Sequence, residues 1–240
     1  TDAPDLGIME TDWAENRAKI PQDFIRRTIG KVLDGLYSSG ERDRYRTRLE
    51  RNSSGAMEIY VSHRGMQEDY KDAQKNSTIW MPRPSDPELE IEFLRRMMVK
   101  LGAPKEQASM AGASTAPTAN ASSITTVNGQ PTLLLNDALD RAWRRTGLAL
   151  DRGGFTVEDR DRSKGLYYVR YVAPDDKQED GFFARLFSSK PQQAGLTRYQ
   201  IRLQASQGDK TLLHVMGQDG AVENSENANK ILKLLAAEMR

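Results

Sequence analysis

The chain has 240 residues, 38% of them hydrophobic and 29% charged, a balance that suits a soluble globular protein of one or two modest cores. With 35 basic against 34 acidic side chains the net charge is +1, which gives no electrostatic reason to expect nucleic acid or an anionic membrane as the main partner. The absence of cysteine excludes disulfides, thiolate metal sites and cysteine nucleophiles, and no run approaches the ~20 apolar residues of a membrane helix.

Taken from the N-terminus, no signal peptide is visible, and the start at Thr1 rather than Met reads as a processed or truncated beginning. Gly7–Trp13 (GIMETDW) is a strand candidate. From about Pro21, residues Phe24, Ile25, Thr28, Ile29, Val32, Leu33 and Leu36 recur at helical spacing. Tyr45–Arg51 and Met57–Arg64, turning through Asn52–Gly55, form a hairpin pattern. Arg42, Arg44, Arg46 and Arg48 interleave with Glu41, Asp43 and Glu50, which predicts a solvated face rather than a phosphate site. Asp86 as a cap with Pro87 at the first helical position opens a helix carrying Leu89, Phe93, Leu94, Met97, Met98 and Leu101, and Gly102 stops it.

Residues 103–131 are rich in Ala, Ser and Thr, without an aromatic residue, and bury too little to offset the entropy of ordering them. They read as a flexible linker between a domain at 1–102 and a domain at 132–240. Beyond them, Thr132–Leu135 is a strand. Asn136 is placed to cap a helix bearing Leu139, Ala142, Trp143 and Thr146, which Gly147 ends. Strands follow at Leu148–Leu150 with Phe155–Asp159, at Gly165–Val172, and at Arg198–Ala205 and Thr211–Met216, the last two joined through SQGD. A closing helix from about Ser225 carries Ala228, Ile231, Leu232, Leu235 and Met239 on one face. The order β-α-β-β-β-β-α requires two helices on one face of an antiparallel sheet, a helix-grip-like α+β layer. Residues 7–102 repeat the second half of that plan and lack a counterpart of the opening strand and helix.

Chemistry is sparse. The two histidines, His63 and His214, lie on the second strands of their hairpins, and the spacing offers neither a partner carboxylate nor a metal ligand. Gly153–Gly154 and Gly217 with Gly220 are turn glycines, and no phosphate loop, nucleophile elbow or zinc motif is present. Asp159, Asp161, Asp175, Asp176, Glu179 and Asp180 lack the spacing of a calcium loop and read as solvated strand ends. No catalytic residue, metal site or cofactor is expected. Alternation puts Tyr167 and Tyr171 on one face of their strand and Tyr168 on the other, so both faces carry tyrosine and one set is exposed. Phe182, Phe183 and Phe187 interrupt the polar stretch 173–197. With Tyr168 they are the candidate partner-binding residues.

Three segments carry a resemblance: TDWAENRAKIPQDFIRR (Thr11–Arg27), RYRTRLERNSSGAMEIYVSHRGM (Arg44–Met66) and WMPRPSDPELEIEFLRRMMVKLG (Trp80–Gly102). Together they are similar to the BamC (NlpB) family of lipoproteins of the outer-membrane β-barrel assembly machinery in Gram-negative bacteria. The resemblance spans essentially the whole chain and implies two helix-grip domains joined by a flexible linker. It also implies a non-catalytic accessory role, a cell outer membrane location through a lipid anchor outside this chain, and association with other assembly subunits. Of these BamD is foremost, mainly through an N-terminal segment absent here. The predicted helix from Pro21 to Leu36 is longer than the connection in some members, as in a divergent branch. The alternative expectation is a periplasmic or surface ligand-binding module that uses the cleft between helix and sheet.

Overall fold

Alternating side chains and two tight turns build an antiparallel sheet in each half of the chain. The computed structural model describes residues 2–15, 40–52, 54–70, 77–110, 122–171 and 197–239. It divides into one unit at Thr1–Ala111 and a second at Gly112–Arg240. Each is α+β.

The first unit contains β1 (Asp2–Ala3), β2 (Ile8–Glu10), β3 (Ala14–Glu15), β4 (Glu41–Arg51), β5 (Met57–Tyr70) and β6 (Thr78–Arg83). Helices α1 (Pro87–Lys100) and α2 (Lys105–Met110) follow. The strands are ordered β1-β2-β4-β5-β6, with β3 also on β4. Tyr45 lies opposite His63 across the β4–β5 ladder and stacks on Phe93 of α1 at 4.7 Å, which identifies the helix-covered face. The Asp86 carboxylate accepts the N–H groups of Glu88 and Leu89, so α1 starts as its capping pattern predicts. Strand β6 is an element the sequence pattern does not predict, and the helix expected from Pro21 to Leu36 lies outside the described residues. The arginine stripe is also not simply solvated: Arg48 is 2% exposed, paired with Glu50 and stacked over Tyr60.

The second unit contains β7 (Ser122–Val127), β8 (Gln130–Leu135), α3 (Leu139–Arg152), β9 (Thr156–Asp161) and β10 (Leu166–Tyr171). Then come β11 (Thr197–Ser206), β12 (Lys210–Met216) and α4 (Glu226–Glu238). The sheet order is β7-β8-β12-β11-β10-β9, antiparallel throughout. Leu133, Tyr167, Val169, Ile201, Leu203, Leu213 and Val215 face Ala142, Trp143, Leu150, Ile231, Leu232 and Leu235 in one core. At about 1.5–3 kcal/mol per large apolar side chain buried, this core dominates the stability of the unit. The Trp143 and Tyr167 rings stack at 3.9 Å, and Tyr167 Oη donates to the Trp143 carbonyl at 3.1 Å. Ser225 caps α4 by accepting the Ala228 N–H, as expected.

Three expectations are corrected here. Gly147 does not end α3: it is buried mid-helix, and the helix runs to Arg152 before Gly153. The segment Leu148–Leu150 is therefore helical, because Ala142, Trp143, Thr146, Ala149 and Leu150 continue one buried stripe, whose packing outweighs a glycine cost of about 1 kcal/mol. Asn136 is not the cap. Thr211 Oγ1 donates to the Asp137 carbonyl, and the helix begins after Ala138, which makes no side-chain cap. Within 103–131, the stretch read as linker, α2, β7 and the first residues of β8 are ordered structure. Strand β7 is made of β-branched and hydroxyl residues that lack an apolar signature but pair with β8 along their full length.

The repeat shows in the sheet. Strands β2, β4 and β5 run in the order of β10, β11 and β12. Gly7 (φ +62°) and Gly165 (φ +66°) open equivalent strands. Their carbonyls accept the N–H groups of Leu49 and Leu203, each at 2.8 Å. Strand β6 flanks β5 where β8 flanks β12, although it follows β5 in the chain instead of opening the unit, so the sheet position expected to be empty is filled. Among the described residues the first unit has no counterpart of α3.

A candidate contact face on the second sheet

Because α3 and α4 occupy one side of the second sheet, alternation leaves the other side without a helix among the described residues. Cross-strand register sets its rows: Leu166 lies opposite Arg202 and Arg202 opposite His214, while Tyr168 lies opposite Gln200 and Gln200 opposite Met216. Where the β7–β8 turn meets β11 and β12, the face dips into a cavity of about 370 Å³. Val127, Asn128, Gln130, Arg202, Gln204 and His214 line it, with apolar wall from Leu212, Met216 and Val222.

His214 is half-buried. The Thr132 hydroxyl donates to the Gln130 carbonyl at 3.0 Å, and its oxygen lies 3.3 Å from His214 Nδ1. Burial, reinforced by the Arg202 charge, holds the imidazole pKa below its ordinary value of 6.5.

His63 occupies a different setting. It is fully buried, with Nε2 2.8 Å from Asp43 Oδ1 and Nδ1 accepting the Asp86 N–H at 3.0 Å. Glu90 accepts the His63 backbone N–H at 2.9 Å, and Arg83 pairs with Asp43. The sequence spacing hid the Asp43 partner, which arrives through β4–β5 pairing. These bonds tie the start of α1 to the sheet and leave the imidazole no route to an external substrate. Of the acidic cluster, Asp161 sits at a solvated strand end with its carboxyl pKa lowered to about 2 by hydrogen bonds from Lys164 and Ser163, while Asp175, Asp176, Glu179 and Asp180 lie outside the described residues. Among the described residues no three His, Asp or Glu side chains gather as metal ligands would, and no helix is long and apolar enough to cross a membrane.

Of the expected contact residues, Tyr168 lies half-exposed on the helix-free face, one row from the cavity. Phe182, Phe183 and Phe187 lie outside the described residues. Arg202 and His214 meet only through the β11–β12 register, in which Ser206 of the SQGD segment pairs with Lys210, so spacing through a four-residue turn does not bring them opposite each other.

Two family descriptions match the chain: the C-terminal domain of outer membrane protein assembly factor BamC-like proteins over residues 121–239, and the N-terminal domain over residues 1–115. An outer membrane protein assembly factor BamC of Accumulibacter regalis is 48% identical over 99% of this chain and 64% of its own length. A BamC of Thiobacillus denitrificans is 48% identical over 100% of this chain and 66% of its own length. The chain thus spans just under two thirds of the length of these two relatives.

Proposed function

The chain belongs to the BamC family, and from that premise we propose that it is a non-catalytic accessory scaffold of the outer-membrane β-barrel assembly machinery, supporting protein insertion into the outer membrane. Its partners in this reading are other assembly subunits, BamD foremost through a segment N-terminal to this chain, and a lipid anchor outside the chain holds it at the outer membrane. The observation that carries the scaffold reading is the division of labour in the second sheet. One face is spent on α3 and α4, and the other presents Leu166, Tyr168, Gln200 and Arg202 half-exposed or exposed. The buried state of His63, and the placement of the two histidines in separate units, support a role without proton-transfer chemistry.

The ligand-binding alternative draws no support from the second unit. Its helix–sheet cleft is filled by Trp143, Tyr167, Leu150 and Ile231, each at most 1% exposed. Phe182, Phe183 and Phe187 remain proposed contacts beside Tyr168. The test is affinity capture of the full-length lipidated protein from envelope extracts. Assembly subunits are expected in the eluate, and fewer of them with Phe182, Phe183 and Phe187 changed to Ser. An eluate without assembly subunits from the unsubstituted protein contradicts the proposal.

A further inference from the structure

We infer that the cavity between the β7–β8 turn and strands β11–β12 is a carboxylate-receiving socket into which an acidic side chain of a partner protein docks. This rests on the scaffold reading. Both ionisable residues lining the cavity, Arg202 and His214, are basic. Elsewhere in the unit Arg141, Arg144, Arg145, Arg162, Arg170 and Arg198 each pair with a carboxylate. Arg202 is exposed and has no acidic partner among the described residues. A guanidinium fork left open beside a concavity matches a carboxylate, which it holds through two parallel charge-assisted hydrogen bonds.

His214 adds a second donor on demand. Its Nδ1 lies 3.3 Å from Thr132 Oγ1, so Nε2 is the ring atom left for an incoming group. Protonation makes both ring nitrogens N–H donors, so the charged ring donates at Nε2 whichever nitrogen held the hydrogen before. The charged group facing it is Arg202 on β11. Strand β8 offers Thr132 and Leu134, and the turns at either end of the cavity offer Asn128 and Val222. An arriving carboxylate cancels the Arg202 repulsion, so binding and protonation of His214 reinforce each other. One fixed cation with neutral Asn128, Gln130 and Gln204 suits a single negative charge better than a phosphate dianion. The apolar wall of Val127, Leu212, Met216 and Val222 suits an acidic residue flanked by hydrophobic ones in a polypeptide, since a free small acid leaves that surface wet.

The test titrates the full chain with the peptide acetyl-Ala-Leu-Glu-Leu-Ala-amide and with its Gln twin, followed by NMR of the Arg202 Nε–H and the His214 ring, with inorganic phosphate as a third probe. The Glu peptide is expected to shift both resonances and raise the His214 pKa. The Gln peptide is expected to bind roughly tenfold more weakly, the loss of one charge-assisted contact. Arg202→Met removes the response, and His214→Asn removes its strengthening at pH 5.5. Both side chains lie on the surface of the sheet, so amide spectra should show an unchanged fold. Equal response to the two peptides, or phosphate binding at these resonances with higher affinity than the Glu peptide, overturns the socket. Those results leave capture of assembly subunits from envelopes intact, whereas failure of the scaffold reading removes that capture.

Discussion

Gly165→Ala is expected to destabilise the second unit by about 1.5–3.5 kcal/mol. Gly165 sits at φ +66°, where an L side chain costs about 1–2 kcal/mol. An added Cβ would stand 2.4 Å from the Leu203 carbonyl oxygen, a backbone atom that cannot rotate away. Relieving the clash means parting β10 from β11, which weakens the 2.8 Å bond from Leu203 N–H to Gly165 O, worth roughly 0.5–1.5 kcal/mol. Gly208→Ala is the control: it has φ +70° but nothing within 4 Å of its virtual Cβ, so it should cost only the conformational part, about 1–2 kcal/mol. Native-state hydrogen exchange at the Leu203 amide reads the difference locally, and urea unfolding reads it globally. Gly7→Ala repeats the experiment in the first unit, where the approach to the Leu49 oxygen is 2.8 Å. Equal costs for Gly165→Ala and Gly208→Ala would refute the close-approach argument, and with it the physical basis of the Gly7–Gly165 equivalence.

His63→Ala should cost about 2–4 kcal/mol in thermal unfolding, because it strips Asp43 and the Asp86 N–H of a buried partner. Trp143→Ala should cost about 3–5 kcal/mol by opening a cavity against Tyr167. The folded pKa of His214 lies below 6.5, so the unfolded chain takes the proton first as pH falls. Stability should therefore drop as pH falls below about 6.5, and His214→Asn should flatten that part of the profile measured by urea titration.

Strong periodicity makes α1, α4 and the core face of β10 legible in the sequence. The buried Tyr167, Val169 and Tyr171 alternate with half-exposed Leu166, Tyr168 and Arg170 as a two-residue period requires. Strand β7 was hidden because Ser122–Val127 has the composition of a linker, and its pairing with β8 is a tertiary fact. The continuation of α3 through Gly147 was hidden because a glycine reads as a stop unless the buried stripe beyond it is weighed against it. The polar networks were the least legible part. Asp43 reaches His63 through β4–β5 pairing, and Arg202 reaches His214 through the register of a hairpin. Sequence spacing alone carries neither contact.

The central claim is that the helix-free face of the second sheet meets other assembly subunits. Site-specific photocrosslinking in living cells tests it most directly, with a benzophenone side chain placed in the full-length protein at Tyr168, at Gln200, or at Lys233 on the solvent side of α4. Crosslinks to an assembly subunit are predicted at Tyr168 and Gln200 and absent at Lys233. Crosslinks at Lys233 alone, or at none of the three positions, would contradict the account.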